Sequence, residues 1–263
     1  MTNNIKDAVK KTYTAVIKND TGCGCSSTCC SPSQPTSFLD EIYKNMEGYQ
    51  EIADYGLGCG LPTKIAEIKE GDTVLDLGSG AGNDVFIARN QVGKTGKVFG
   101  VDFTIAMIEK ANENKLRLGF DNVTFILGDI EELPIPSDSI DVVISNCVMN
   151  LVPDKNKAYQ EVFRVLKKDG HFSISDVVLN GELPKGILEA ADMYAACVSG
   201  ALEKNDYLNI IKNAGFKEIE IRKEHPIDLP DEILTPFLSV TEIETFRKNK
   251  NTIESITINA KKY

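Results

Sequence analysis

The chain has 263 residues, 42% hydrophobic and 26% charged, enough apolar material for one sizeable core with an appended arm. A net charge of −10 argues against nucleic acid or an anionic membrane as the main partner, since both ask for a basic face. No run approaches the ~20 apolar residues that span a bilayer, and the start "MTNNIKDAVKK" carries no secretory leader, so a cytoplasmic location is expected.

In chain order, Ile5, Val9, Tyr13, Val16 and Ile17 recur at near-helical spacing and predict a short amphipathic helix. A linker rich in Gly, Ser, Pro and Cys follows, with Cys23, Cys25, Cys29 and Cys30. A second helix is predicted from Ser37 through Tyr55, ended by the glycines of "YGLGCG". From Gly71 strands and helices alternate: "TVLDLGSG", "KVFGVD", "NVTFILGD", "SIDVVISN" and "HFSISDVV" read as strands, with helices between them. The helix over "NKAYQEVFRVLKKDG" is predicted to run to Gly170, with Lys167 and Lys168 in its last turn, where the dipole favours cations. Two helical segments follow, roughly 185–201 and 204–214, then "FKEIEIRKE" and "ESITINAKK" as strands. Alternation in the final segment suits an antiparallel strand. Residues 228–251 offer no pattern that can be matched.

The turn "LDLGSGAG" places Gly78, Gly80 and Gly82 after the first strand and at a helix start, where free N–H groups and close backbone approach favour an anionic ligand group. The spacing is G-x-G-x-G rather than the dinucleotide fingerprint G-x-G-x-x-G. With Asp76 ahead of it, the turn suits a ligand carrying an amino-acid moiety, its ammonium on the acid and its carboxylate on the turn. Asp102 ends the second strand, where an acid meets a ribose diol, and Asp129 ends the third, placed for an adenine amino group. All three acids lie at carboxyl ends of parallel strands.

With these residues in place, the chain resembles the class I S-adenosylmethionine-dependent methyltransferases, through "VLDLGSGAG", "VFGVDFTIAMIEKA", "NVTFILGDIEELPIPSDSIDVVISN" and "VFRVLKKDGHFSISD". The resemblance implies a Rossmann-like α/β fold: a mostly parallel seven-stranded sheet with its last strand antiparallel, helices on both faces, an N-terminal helical and Cys-rich arm, and small C-terminal helical insertions. It implies S-adenosyl-L-methionine as cofactor, held by Asp76, Gly78, Ser79, Gly80, Gly82, Asn83, Asp102, Phe103, Met107, Asp129, Ile130, Glu131 and Asn146.

The thiols then ask for an explanation. There are seven cysteines and only two histidines, so a histidine-rich metal site is disfavoured, and His225 reads as surface. Cys147 ends the fourth strand, Cys59 sits in a glycine-rich loop, and Cys197 lies in a segment predicted helical. Each alone could simply pack. Together they suggest soft thiolates converging over the cofactor, a donor set for thiophilic ions. Zinc would want a fourth ligand, which neither histidine is placed to give. A three-coordinate centre with a lone pair, such as trivalent arsenic, fits three thiolates better.

The contexts "YGLGCGLPT", "VISNCVMNLVPDK", "SISDVVLNGELP" and "ACVSGAL", with "CGCSSTCC" upstream, are similar to those of arsenite methyltransferases of the prokaryotic type. That resemblance implies that Cys59, Cys147 and Cys197 bind As(III) from arsenite or its thiol conjugates. It further implies that Cys29 or Cys30, the sequence not choosing between them, pairs with Cys59 in redox turnover, with thioredoxin or glutathione as reductant and Cys23 and Cys25 as further thiol donors. The expected organisation is an arm over residues 1–58, a cofactor-binding core over 59–180, and arsenic-binding helices with the closing strands over 181–263; a monomer is the default. Two other readings stay open: a quinone- or sterol-type C- or O-methyltransferase with structural cysteines, and a non-catalytic metalloid sensor.

Overall fold

The computed structural model describes residues 2–19, 43–188, 197–198, 200–227, 229–248 and 252–263. Cys23, Cys25, Cys29 and Cys30, and most of the segment expected to be helical over 185–201, lie outside the described residues.

Seven strands, β1 (Thr73–Leu77), β2 (Lys97–Asp102), β3 (Val123–Leu127), β4 (Ile140–Asn146), β5 (Leu166–Asn180), β6 (Lys217–Ile227) and β7 (Thr252–Lys261), form one sheet in the order β3-β2-β1-β4-β5-β7-β6. The first five pair in parallel, and β7 runs antiparallel between β5 and β6, as its alternating sequence predicts. The strand order reverses direction at β1, so the carboxyl ends of β1 and β4 open the crevice in which such sheets take ligands.

The helices are α1 (Thr2–Asn19), α2 (Pro62–Ile65), α3 (Asn83–Val92), α4 (Ile105–Leu118), α5 (Lys155–Val165), α6 (Lys185–Leu188), α7 (Lys204–Asn213), α8 (Asp231–Leu234) and α9 (Val240–Lys248). One core gathers β1, β4, β5 and β7 with α5 and α7, through Leu75, Val143, Tyr159, Phe172, Tyr207 and Ile258. A second joins α1, the Cys197 turn, α8 and α9.

Three expectations fail for physical reasons. The helix over Ser37–Tyr55 does not continue through its described part: past Tyr43 and Lys44 the chain turns, and only Glu51–Ala53 makes a single 3-10 turn. Gly48 keeps it from resuming, at φ +91° and so close to α3 that a Cβ would stand 2.7 Å from the Asn90 Cβ. The helix predicted to reach Gly170 ends at Val165. Leu166 joins β5 opposite Ile140, Asp169 turns left-handed at φ 64°, and Lys167 donates to both Asp141 oxygens at 2.8 Å. Strand pairing there outweighs the dipole effect, which is worth well under ~1 kcal/mol at an exposed end. Cys197 sits in a turn at φ 64°, not in a helix. The unmatched 228–251 region contains α8 and α9, with Leu234, Leu238, Ile243 and Phe246 buried in the cluster that also holds Cys147 and Cys197.

Candidate functional site

β1 delivers Asp76, 3% exposed, and hands the chain to the glycine turn. Gly78, Gly80 and Gly82 all take positive φ, and a Cβ on Gly78 would collide with Val148 at 2.5 Å. Asp102, ending β2, accepts from the Gly80 N–H at 3.0 Å and the Thr104 N–H at 2.8 Å, locking the turn to the second strand. Asp76, Gly78, Ser79, Gly80, Asn83, Asp102, Phe103, Met107, Ile130, Asn146 and Cys147 line one pocket, with Val9 and Tyr13 of α1 beside them.

Charge in this pocket is unbalanced. Burial drives the Asp76 carboxyl well above the usual range, and its neighbours Asp84 and Asp102 push the same way. Asp84 is held up to about 6 by burial, against the hydrogen bonds it receives. Clustered buried acids favour a cationic ligand beside them. Among the described residues Ser79 Oγ and Asn83 Oδ1 are buried without hydrogen-bond partners, and unmet polar atoms of this kind ask for a polar ligand. The donor set therefore fits the amino-acid end of S-adenosylmethionine.

Asp129 and Glu131 are engaged by an ion pair with α1. Lys6 of α1 reaches both at 2.7 Å, and Lys10 lies 5.3 Å over the Phe103 ring. The Lys6 pair lowers the Asp129 pKa against the effect of partial burial. Asp129 itself stands two residues beyond the end of β3, in a turn bridged to Glu132.

The cysteines cluster beside the pocket, which Cys147 lines. Cys147 follows β4 at φ 61°, and a non-glycine residue in that left-handed region is held there by its surroundings. Its N–H donates to the Ser175 carbonyl at 2.8 Å. The Cys197 thiol donates to the Cys147 carbonyl at 3.0 Å. The thiols of Cys197 and Cys59 both lie in hydrogen-bonding reach of the Cys147 thiol, and with burial they raise its pKa well above the ordinary value. All three are free thiols.

The Cys59 loop is clamped from two strands. Asn146 Oδ1 accepts from the N–H groups of Cys59 at 3.0 Å and Gly60 at 3.1 Å, while its amide donates to the Gly60 carbonyl and to Asp84. Ser255 Oγ of β7 donates to the Cys59 carbonyl at 2.5 Å. A Cβ on Gly58 would stand 2.7 Å from Asn146 Nδ2, and one on Gly60 2.4 Å from Ser175 Oγ, so this approach needs glycine at both places. Asn146, expected at the cofactor, lines the pocket but spends its amide on holding Cys59 in place.

Several residues escaped the sequence reading. Tyr43 and Thr63 donate to Asp84, at 3.1 and 3.2 Å. Asn150 donates to the carbonyls of Val177 and Cys197 and so ties β5 to the Cys197 turn. Asp176, 1% exposed, accepts from Tyr207 Oη at 3.0 Å and from the Val177 N–H at 3.0 Å. Burial holds its pKa up to about 7. Asp176 lies within β5, one residue past Ser175, the register partner of Asn146, and so beside Cys147. His171 instead donates to the Ala66 carbonyl and His225 is exposed on β6.

Among the described residues no helix is long and apolar enough to cross a membrane. A methyltransferase-domain family matches residues 68–215. An arsenite methyltransferase of Halobacterium salinarum is 42% identical over 206 residues, 78% of this chain and 52% of that protein. One of Aquipseudomonas alcaligenes is 33% identical over 235 residues, 87% of this chain and 66% of its own. The chain thus spans between half and two thirds of these relatives. The crystal structure of an arsenic(III) S-adenosylmethionine methyltransferase from Chlamydomonas reinhardtii aligns with a TM-score of 0.65 at 32% identity, over 86% of this chain and 70% of that one. On the domain match over more than half its length and on that aligned relative, the chain belongs to the arsenic(III) methyltransferase family of the class I methyltransferases.

Proposed function

We propose that this protein methylates trivalent arsenic, with Cys59, Cys147 and Cys197 as the arsenic ligands and S-adenosyl-L-methionine as methyl donor. The observation that carries the reading is the meeting of three free thiols beside a pocket built on an acidic glycine turn. Asp76, Gly78, Ser79, Gly80, Gly82 and Asn83 would hold the amino-acid end of the cofactor, Asp102 the ribose, and Phe103, Met107, Ile130 and the Asp129–Glu131 turn the adenine side. The cofactor supplies an electrophilic methyl carbon on a sulfonium, and trivalent arsenic carries the lone pair that can accept it.

The protein's own share is loading and positioning. Arsenite, As(OH)3, exchanges three hydroxyls for three thiols. Three S–As bonds form, three As–O bonds break, and each thiol proton leaves in a water molecule. Asn146 and Ser255 fix the Cys59 loop, Asn150 fixes the Cys197 turn, and the left-handed backbone at Cys147 directs its thiol into the same pocket. Fixing acceptor and donor together, with water kept out, is the larger part of catalysis for such a displacement. A thiol pair, Cys59 with Cys29 or Cys30, would give two electrons to pentavalent product arsenic and become a disulfide. Thioredoxin or glutathione would reopen it, and Cys23 and Cys25 would feed arsenic inward. The division at residues 58 and 180 is proposed as one of roles, since β6 and β7 share the sheet of the core.

Replacing Cys147 with Ser should abolish arsenite methylation, followed with labelled cofactor and speciation of the arsenic products, while cofactor affinity changes less than threefold. Undiminished turnover in that variant removes the reading. Turnover of a quinone or sterol acceptor that ignores arsenite would replace it with the small-molecule alternative.

A further inference from the structure

A three-thiolate arsenic site is complete without a carboxylate, yet a buried one stands in this cluster. The sulfurs of Cys59 and Cys147 and a carboxylate oxygen of Asp176 all lie within 4.8 Å of one another. In a tetrahedral zinc centre with metal–ligand distances of about 2.0–2.3 Å, donor atoms stand roughly 3.3–3.8 Å apart. Closing the difference asks only small rotations of these side chains. The Cys197 thiol is in hydrogen-bonding reach of Cys147 but outside the set whose donors all lie within 4.8 Å of one another, so it has to swing further to serve as a fourth donor.

Asp176 is prepared for such a role. It accepts from the Tyr207 hydroxyl, the Val177 N–H and the Asn150 N–H, and of the roughly four lone-pair sites on its two oxygens one is left for a cation. The neighbouring Lys155 ammonium donates instead to the carbonyls of Asn150 and Val152, at 3.2 and 3.1 Å. Arsenic(III) and a divalent cation make different demands. The first wants three sulfurs and leaves a lone pair free, whereas the second wants four donors and accepts oxygen among them.

We propose that Cys59, Cys147, Cys197 and the Asp176 carboxylate form a second kind of centre at this place, a tetrahedral S3O site for a thiophilic divalent cation such as Cd2+ or Zn2+. Such an ion occupies the thiols that would take arsenite and so blocks loading. The cation site stands on the geometry alone; the competition rests on the proposed arsenic chemistry.

The test uses the reduced full chain with Cys23, Cys25, Cys29 and Cys30 replaced by Ser, so that only these three thiols report. Titration with Cd2+ should give one equivalent of tight binding, seen as the ultraviolet thiolate-to-cadmium band, and absorption spectroscopy at the cadmium edge should show three sulfurs and one oxygen. Asp176→Asn should weaken Cd2+ at least tenfold while arsenite affinity moves less than threefold; circular dichroism checks that this variant is folded. Tyr207→Phe, which keeps the carboxylate, should retain the Cd2+ site within a few fold. Absence of Cd2+ binding, equal Cd2+ affinity in a folded Asp176→Asn protein, or a shell of sulfur without oxygen from Asp176 overturns the inference. Cd2+ binding in a protein that takes no arsenite would uphold the cation site and overturn the arsenic reading instead.

Discussion

Gly60 shows how narrowly single positions are constrained. It carries no positive φ; its constraint is space, since a methyl group would press on Ser175, whose hydroxyl is already paired with Thr257 at 2.8 Å. Gly60→Ala should therefore cost on the order of 1–3 kcal/mol of stability, as overpacking does, measured by denaturant unfolding. By displacing Cys59 it should also lower arsenite affinity more than tenfold. Adding Ser175→Gly should recover part of both losses, and a double-mutant cycle measures that coupling. At this scale the sequence was informative about identity and poor about partnership. The thiols, the glycines and the strand-end acids are all visible as residue types at telling positions. That Asn146 serves the Cys59 loop, or that Asp84 gathers Tyr43, Thr63 and Asn146, depends on contacts between residues 21 to 103 positions apart, which no local pattern encodes.

Among the elements, α1 has the most to say about ligand exchange. Its Val9 and Tyr13 line the pocket, and its Lys6 bridges Asp129 and Glu131 beyond β3. These ion pairs are partly exposed, so their direct worth is about 0–1 kcal/mol. Lys6→Glu would set a like charge against two acids and unseat the helix. It should weaken cofactor binding several-fold and speed its dissociation, in stopped-flow displacement, with the unfolding midpoint little changed; an unaltered dissociation rate would deny α1 any part in closing the pocket. The helix itself was legible from its spacing of Val9, Tyr13 and Val16, because amphipathic periodicity reports burial directly. The end of α5 was not. "LKKDG" satisfies a helix end equally well, and only the pairing of Leu166 with Ile140 across the sheet decides for strand. Helices α8 and α9 went unseen because each is short, and their apolar residues pack on the cysteine cluster rather than on a broad face.

For the whole molecule, the buried acids set a pH dependence. Unfolded aspartates ionise near 3.8, whereas burial raises Asp84 to about 6 and Asp176 to about 7. Between those values the folded state holds protons that the unfolded chain has released, so stability falls as pH rises, by up to ~1.4 kcal/mol per pH unit for each such proton. Calorimetry of the ligand-free protein should find a higher midpoint at pH 6 than at pH 8. A cationic ligand beside Asp76 and Asp84 should flatten that slope. A midpoint that climbs from pH 6 to pH 8 would show that these carboxyls are not held up. The fold was the most legible layer of all, because alternating strands and helices with one antiparallel partner leave few topologies.

The placing of β7 carries a further consequence, for how the molecule comes into being. β5 is completed on its far side only by β7, which follows β6 in the chain but inserts between the two. During synthesis β5 therefore waits with an open, apolar edge while some seventy residues more are made, a non-local pairing of the kind that slows folding and exposes a chain to aggregation. Ser255 of β7 also anchors the Cys59 carbonyl. A growing chain thus holds the Cys59 loop without this anchor until that strand slots home.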